Sequence, residues 1–171
     1  MTIVTCAERT SRTPNVQDAG WASNAAEDQL YYPYISSCVT VTLVFENGVL
    51  GGHASQVSAD NKRQPEDNLI AVINRMIGAA PDQHTRGAFL KIYFIGTADD
   101  TGWNLSRAEN VITANFGNPR AVKPVRHGHT PVDVVFDTKT KQLFSVSREK
   151  SNAQGAAQTL NDGEDMGVSY L

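Results

Sequence analysis

Residues 39–53 read Val39-Thr40-Val41-Thr42-Leu43-Val44-Phe45, Glu46-Asn47-Gly48, Val49-Leu50-Gly51-Gly52-His53, and their reading decides the fold. Val39, Val41, Leu43 and Phe45 alternate with Thr40, Thr42 and Val44. That is the period-2 pattern of a strand, and it is rich in β-branched residues. Asn47-Gly48 tolerates positive φ and supplies turn chemistry. The chain therefore returns as a second strand from Val49, and the pair Gly51-Gly52 signals a bulge or a close backbone approach.

Upstream, residues 1–20 are polar, with Ser11, Thr13, Pro14, Asn15 and Asp18 and no sustained periodicity, which predicts a loose arm. Trp21 to Leu30 reads as a short helix ended by Tyr31-Tyr32-Pro33-Tyr34, because proline disfavours helix in the residue before it. Downstream, Pro65, Glu66 and Asp67 suit a helix start. Leu69, Ile70, Val72, Ile73, Met76 and Ile77 then form one apolar face. Phe89–Ile95 is a strand-length apolar run ended by Gly96. Leu105, Ala108, Val111, Ile112 and Phe116 mark a second helix closed by Gly117. Residues 120–126 read as an edge strand, since Pro124 cannot donate to a ladder. Val132, Val134 and Phe136 lead through residues 137–141 into Leu143–Val146 as a hairpin. The predicted class is α+β: a mixed, largely antiparallel sheet or sandwich core flanked by helices. The predicted organisation is an arm (1–20), one domain (21–147) and a polar tail (148–171).

Composition bounds the function classes. A chain of 171 residues buries roughly 69% of its extended surface on folding, enough for a core without cross-links. Apolar residues at 40% and charged residues at 19% describe an ordinary globular protein. A net charge of −3 argues against a nucleic-acid partner. No apolar run approaches the ~18 residues of a membrane span. Met1 to Arg9 lacks the features of a secretory signal, which predicts synthesis as a cytoplasmic polypeptide, with any export left to a signal-independent secretion system. Cys6 and Cys38 could pair, but the core needs no staple, and Cys6 reads as an inert thiol.

The sequence has no phosphate-binding glycine loop, CxxC pair or HExxH. His127-Gly128-His129 offers too few ligands for a metal, and Asp99-Asp100 reads as a loop that caps the following helix. Neither metal nor organic cofactor is expected. Cys38 and His53 are the pair with chemistry. A thiol is a nucleophile only as thiolate, and an imidazole can take its proton. A loop of residues 45–48 pairs Val44 with Val49 and makes His53 a same-face diagonal neighbour of Cys38, about 7–8 Å away. A two-residue loop at Asn47-Gly48 separates them by about 13 Å.

Ile35-Ser36-Ser37-Cys38-Val39-Thr40-Val41 followed by Gly51-Gly52-His53 resembles the active-site hairpin of glutamine deamidases. In the chemoreceptor glutamine deamidases (the CheD family) a Leu-Gly-Ser-Cys-Val strand precedes a turn, a Gly-Gly stretch and a catalytic histidine. Toxins of the cytotoxic necrotizing factor and Burkholderia lethal factor type carry a related segment. The order of elements is also similar, over roughly residues 31–147. The resemblance implies a hydrolase with Cys38 as nucleophile and His53 as base. It implies the backbone N–H groups of Ser37 and Cys38 as oxyanion donors, and a monomer acting on a partner protein that bears the target glutamine. Ser36-Ser37 stands where those families place at least one glycine. Tyr32 stands where the chemoreceptor enzymes and the lethal factor carry a threonine, so the group orienting His53 is either Tyr32 or a backbone carbonyl. The rival readings are a noncatalytic binding or adaptor domain of the same fold, a transglutaminase-like enzyme, and another cysteine hydrolase.

Overall fold

The computed structural model describes residues 1–57, 64–97, 103–127, 131–147, 158–160 and 167–168. The chain runs β1 (Ile3–Thr5), β2 (Ala19–Ser23), β3 (Gln29–Ile35), β4 (Val39–Phe45), β5 (Gly48–Ala54), α1 (Pro65–Ala79), α2 (Gln83–Arg86), β6 (Phe89–Thr97), α3 (Leu105–Phe116), β7 (Ala121–His127), β8 (Val132–Asp137), β9 (Gln142–Ser147), β10 (Gln158–Leu160) and β11 (Gly167–Val168). An outer sheet has the order β1-β3-β8-β9-β10, and a central sheet the order β11-β7-β6-β4-β5-β2. Among the described strands, only the β1–β3 and β6–β7 pairs are parallel. The protein is thus α+β, with two largely antiparallel sheets and flanking helices. No described helix is long and apolar enough to cross a membrane.

Three layers follow from β4, which is buried along its whole length between β5 and β6. Val39, Val41, Leu43 and Phe45 point to one side and pack with Leu69, Val72, Ile73 and Met76 of α1 and with Leu105, Ala108 and Ile112 of α3. Val44 and Cys38 point to the other side, among Leu30, Tyr32, Val134 and Phe136 of the outer sheet. The alternation visible in sequence therefore separates two apolar interfaces rather than core from solvent. Each large side chain sealed this way contributes about 1.5–3 kcal/mol.

Gly51 and Gly52 serve one interface each. A Cβ on Gly52 would lie 2.4 Å from Met76 Sδ, and one on Gly51 would lie 2.6 Å from Leu30 and 2.7 Å from the Tyr32 hydroxyl. The expected close approach is what the pair provides.

Four sequence expectations are corrected. The loop of the central hairpin is Glu46-Asn47, because Gly48 pairs with Phe45. The register is nevertheless the one that pairs Val44 with Val49. Residues 1–20 are not a loose arm throughout: β1 lies against β3, the Cys6 N–H donates to the Tyr31 carbonyl, and Cys6 and Asp18 are buried. Residues 21–30 form no helix. Ala19–Ser23 pairs with β5 and Gln29 begins β3, with a turn between them in which Glu27 takes φ +53° and the Asp28 carboxylate accepts the Thr2 and Ser23 N–H groups. Sheet pairing on both sides of the turn outweighs the helix preference of Ala25-Ala26 within it. Lastly, the edge reading of β7 holds around Pro124 but not at its end, where β11 pairs with Arg126 and His127. Most of residues 148–171 lies outside the described residues, but the backbone of β10 pairs with β9 as that of β11 does with β7.

Candidate active site

Cys38 sits where the chain turns into β4, after the exposed Ser37. His53 lies near the end of β5, and Thr40 is its direct partner across the ladder. The Val44–Val49 register puts Cys38 and His53 on the same face as diagonal neighbours. Their side chains close the gap: Cys38 Sγ lies 2.8 Å from His53 Nε2. His53 Nδ1 lies 3.0 Å from the backbone carbonyl oxygen of Cys6. A carbonyl only accepts, so Nδ1 carries the proton. In the neutral ring Nε2 is then the acceptor for the thiol S–H. Burial holds the His53 pKa below its ordinary value, against the opposing pulls of the Cys6 carbonyl, Glu8 and Asp18. The resting imidazole is thus neutral, the state in which a ring nitrogen can accept a thiol proton.

Tyr32 is not the orienting group. Its hydroxyl donates to the Val41 carbonyl at 2.9 Å and lies 2.6 Å from Thr42 Oγ1. Its ring meets the imidazole edge-on, with centroids 6.1 Å apart. Tyr32 walls the imidazole, and the Cys6 carbonyl orients it. Reasoning from sequence missed Cys6 because a backbone carbonyl has no side-chain signature. The Cys6 thiol points away, 3.7 Å from the Gly51 carbonyl. Burial, and then the Asp18 charge, push its pKa up to about 12, so it stays a thiol. Neither cysteine is in a disulfide.

Asp18 ties the site to α1. Its backbone carbonyl accepts the His53 N–H at 2.9 Å. Its buried carboxylate takes Arg75 through Nε at 2.8 Å and Nη2 at 2.6 Å. A cavity of about 170 Å³ lined by Arg9, Asp18, Ser55, Asn68 and Arg75 reaches His53. Neither Cys38 nor His53 is exposed, both at 0%. The Tyr34 carbonyl approaches Cys38 Sγ at 3.8 Å. Tyr34 itself takes φ +55° where the β3–β8 register slips between Tyr32 and Ile35. A positive φ in an aromatic residue is uncommon, and here it falls beside the Cys38 thiol. Asp99, Asp100, His129 and the side chain of His127 lie outside the described residues.

No protein-family model matches this chain, and no curated protein matches it at a significant level. What the site can do chemically therefore rests on its own geometry.

That geometry sets a pH dependence of stability. Unfolded histidine takes up a proton below about pH 6.5, while folded His53, its pKa depressed, resists it. Stability should therefore fall as the pH drops below that point. Folded Cys6 keeps its proton up to about 12, whereas the unfolded thiol ionises near 9.0, so stability should also fall above about pH 9. Urea midpoints across pH are expected to show a plateau between these limits. Cys6→Ala should flatten the alkaline limb and His53→Gln the acid limb. Limbs unchanged by these substitutions would assign the titrations to other groups.

Proposed function

We propose that this chain is a protein glutamine deamidase, a cysteine hydrolase that converts a specific glutamine of a partner protein to glutamate. The observation that carries the reading is the relay Cys38 Sγ–His53 Nε2–His53 Nδ1–Cys6 carbonyl, at 2.8 and 3.0 Å. It supplies a nucleophile, a base and an orienting group in the order that thiol acyl transfer needs. The likeness of residues 35–41 and 51–53 to the deamidase hairpin narrows the substrate to a carboxamide.

In this mechanism the Cys38 proton passes to His53 Nε2, and the thiolate attacks the side-chain carboxamide carbon. The backbone N–H groups of Ser37 and Cys38 are the proposed donors to the resulting oxyanion. Nε2–H then protonates the departing nitrogen, which leaves as ammonia, and a thioester remains on Cys38. His53 next draws a proton from water, which attacks the thioester and releases glutamate and the thiol. No step calls for a metal or an organic cofactor.

The complete burial of Cys38 and His53 favours a second reading, a binding domain that retains the relay without turnover. Incubation of the protein with a cell lysate, followed by ammonia release and by Gln-to-Glu mass changes in the recovered proteins, separates the two. Ammonia release coupled to one modified glutamine supports the deamidase. Stable capture of a partner whose glutamines stay unchanged supports the binding domain.

A further inference from the structure

Thr40 and Thr42 stand on the same strand and the same face, both fully buried, yet their hydroxyls are treated differently. Thr42 Oγ1 meets the Tyr32 hydroxyl at 2.6 Å. Thr40 Oγ1 is buried without a hydrogen-bond partner. An unsatisfied buried hydroxyl costs about 1–3 kcal/mol, and in a native fold it calls for an explanation. Valine would fill the same space without that cost.

The position of Thr40 supplies the explanation. His53 gives its N–H to Asp18, on the β2 side. Thr40 and His53 therefore form the non-hydrogen-bonded kind of antiparallel pair, in which facing side chains come closest. Cys38 is two residues before Thr40 on the same face, and Ile95 of β6 faces Thr40 from the other side. Cys38 Sγ contacts His53 Nε2 and the Tyr34 carbonyl, both of which suit a thiol that donates. A thiolate in this closed site needs donors instead.

We propose that Thr40 is a further catalytic group, the hydroxyl donor to the Cys38 thiolate once its proton has passed to His53. The inference rests on the Cys38–His53 reading. The proton moves from Sγ to Nε2 and the pair stays neutral overall; Thr40 keeps its own proton, and rotation of its side chain about the Cα–Cβ bond brings the hydroxyl to the sulfur two residues along the same face. The other titratable groups around the pair are Tyr32 from β3, Cys6 beyond β1, and Glu8 and Asp18 ahead of β2, with Tyr93 of β6 further along the same face, opposite Thr42. Arg9 and Arg75 act on it through Asp18.

The test is the rate of alkylation by iodoacetamide, followed at the Cys38 peptide by mass spectrometry from acid to alkaline pH, using the full chain. It needs no knowledge of the substrate. A hydrogen bond to a charged group is worth enough to move a pKa by about one unit, a factor of about ten. Thr40→Val should thus cut the rate at neutral pH about tenfold and shift its midpoint up by about one unit, with an equal or higher melting temperature. Thr40→Ser should restore the wild-type profile. Thr42→Val should do the reverse of Thr40→Val, losing stability while keeping the profile. A folded Thr40→Val protein with the wild-type profile overturns the Thr40 assignment and leaves the Cys38–His53 reading standing. A wild type in which Cys38 titrates as an ordinary thiol overturns both.

Discussion

Cys38→Ser is expected to lower ammonia release by roughly a thousandfold or more, about 4 kcal/mol of transition-state stabilisation, with the fold intact. Serine keeps the size of the buried side chain, and its hydroxyl can still donate to His53 Nε2, so no polar atom is orphaned. What is lost is acidity. His53, held neutral by burial, removes a thiol proton far more readily than an alcohol proton. The same loss is expected for His53→Gln, in which the amide can satisfy the Cys6 carbonyl but cannot act as a base. Steady-state ammonia release, read beside circular dichroism and a urea melt, checks both variants. Turnover retained in a folded Cys38→Ser protein would dismiss the thiol mechanism.

Deletion of residues 1–7 is the second experiment with a large expected effect. A polar arm would be trimmed at no cost. Here the segment carries β1, the Cys6 N–H bond to Tyr31, the Ala7 N–H bond to Gln17 and the carbonyl that orients His53. Its removal takes away the Nδ1 partner and frees the ring to turn, and misplacement of about 1 Å costs a rate on the order of a hundredfold. It also strips a parallel neighbour from β3 and takes the buried Cys6 side chain out of the core. The shortened protein is expected to melt at lower urea and to lose at least that factor in activity. Cys6→Ala provides the contrast, since it deletes the thiol and keeps the carbonyl. It should stay within a few-fold of wild type. Slow hydrogen exchange at the Cys6 amide, measured in the intact protein, tests the anchoring even if the deletion variant fails to fold. Rapid exchange there, or wild-type turnover in the shortened chain, would remove Cys6 from the site.

The central hairpin, α1, β6, α3 and the β8–β9 hairpin were legible because each carries its own signal in its periodicity and boundary residues. Leu105–Phe116 and Pro65–Ala79 show the clearest apolar faces, and a face of that kind is a local property. The face shared by Cys38 and His53 followed from parity once Val44 was set against Val49. β1, β2 and the first half of β3 were illegible for the opposite reason. A three-residue strand has no measurable period, and Ala25-Ala26 prefers a helix when read alone.

The sequence by itself determined the class of fold and the common face of Cys38 and His53, the proposed nucleophile and base. These depend on residue type and on a period of two, which the chain carries locally. Only the tertiary structure decided that Cys6, buried just after β1, lends its backbone carbonyl to His53, that Tyr32 walls the imidazole without orienting it, and that Thr40 is left without a partner while Thr42 has one. Every carbonyl is alike in sequence, and so are two threonines on one strand. What distinguishes them is which distant segment packs against each, and that is settled only when the two sheets and the helices close on β4.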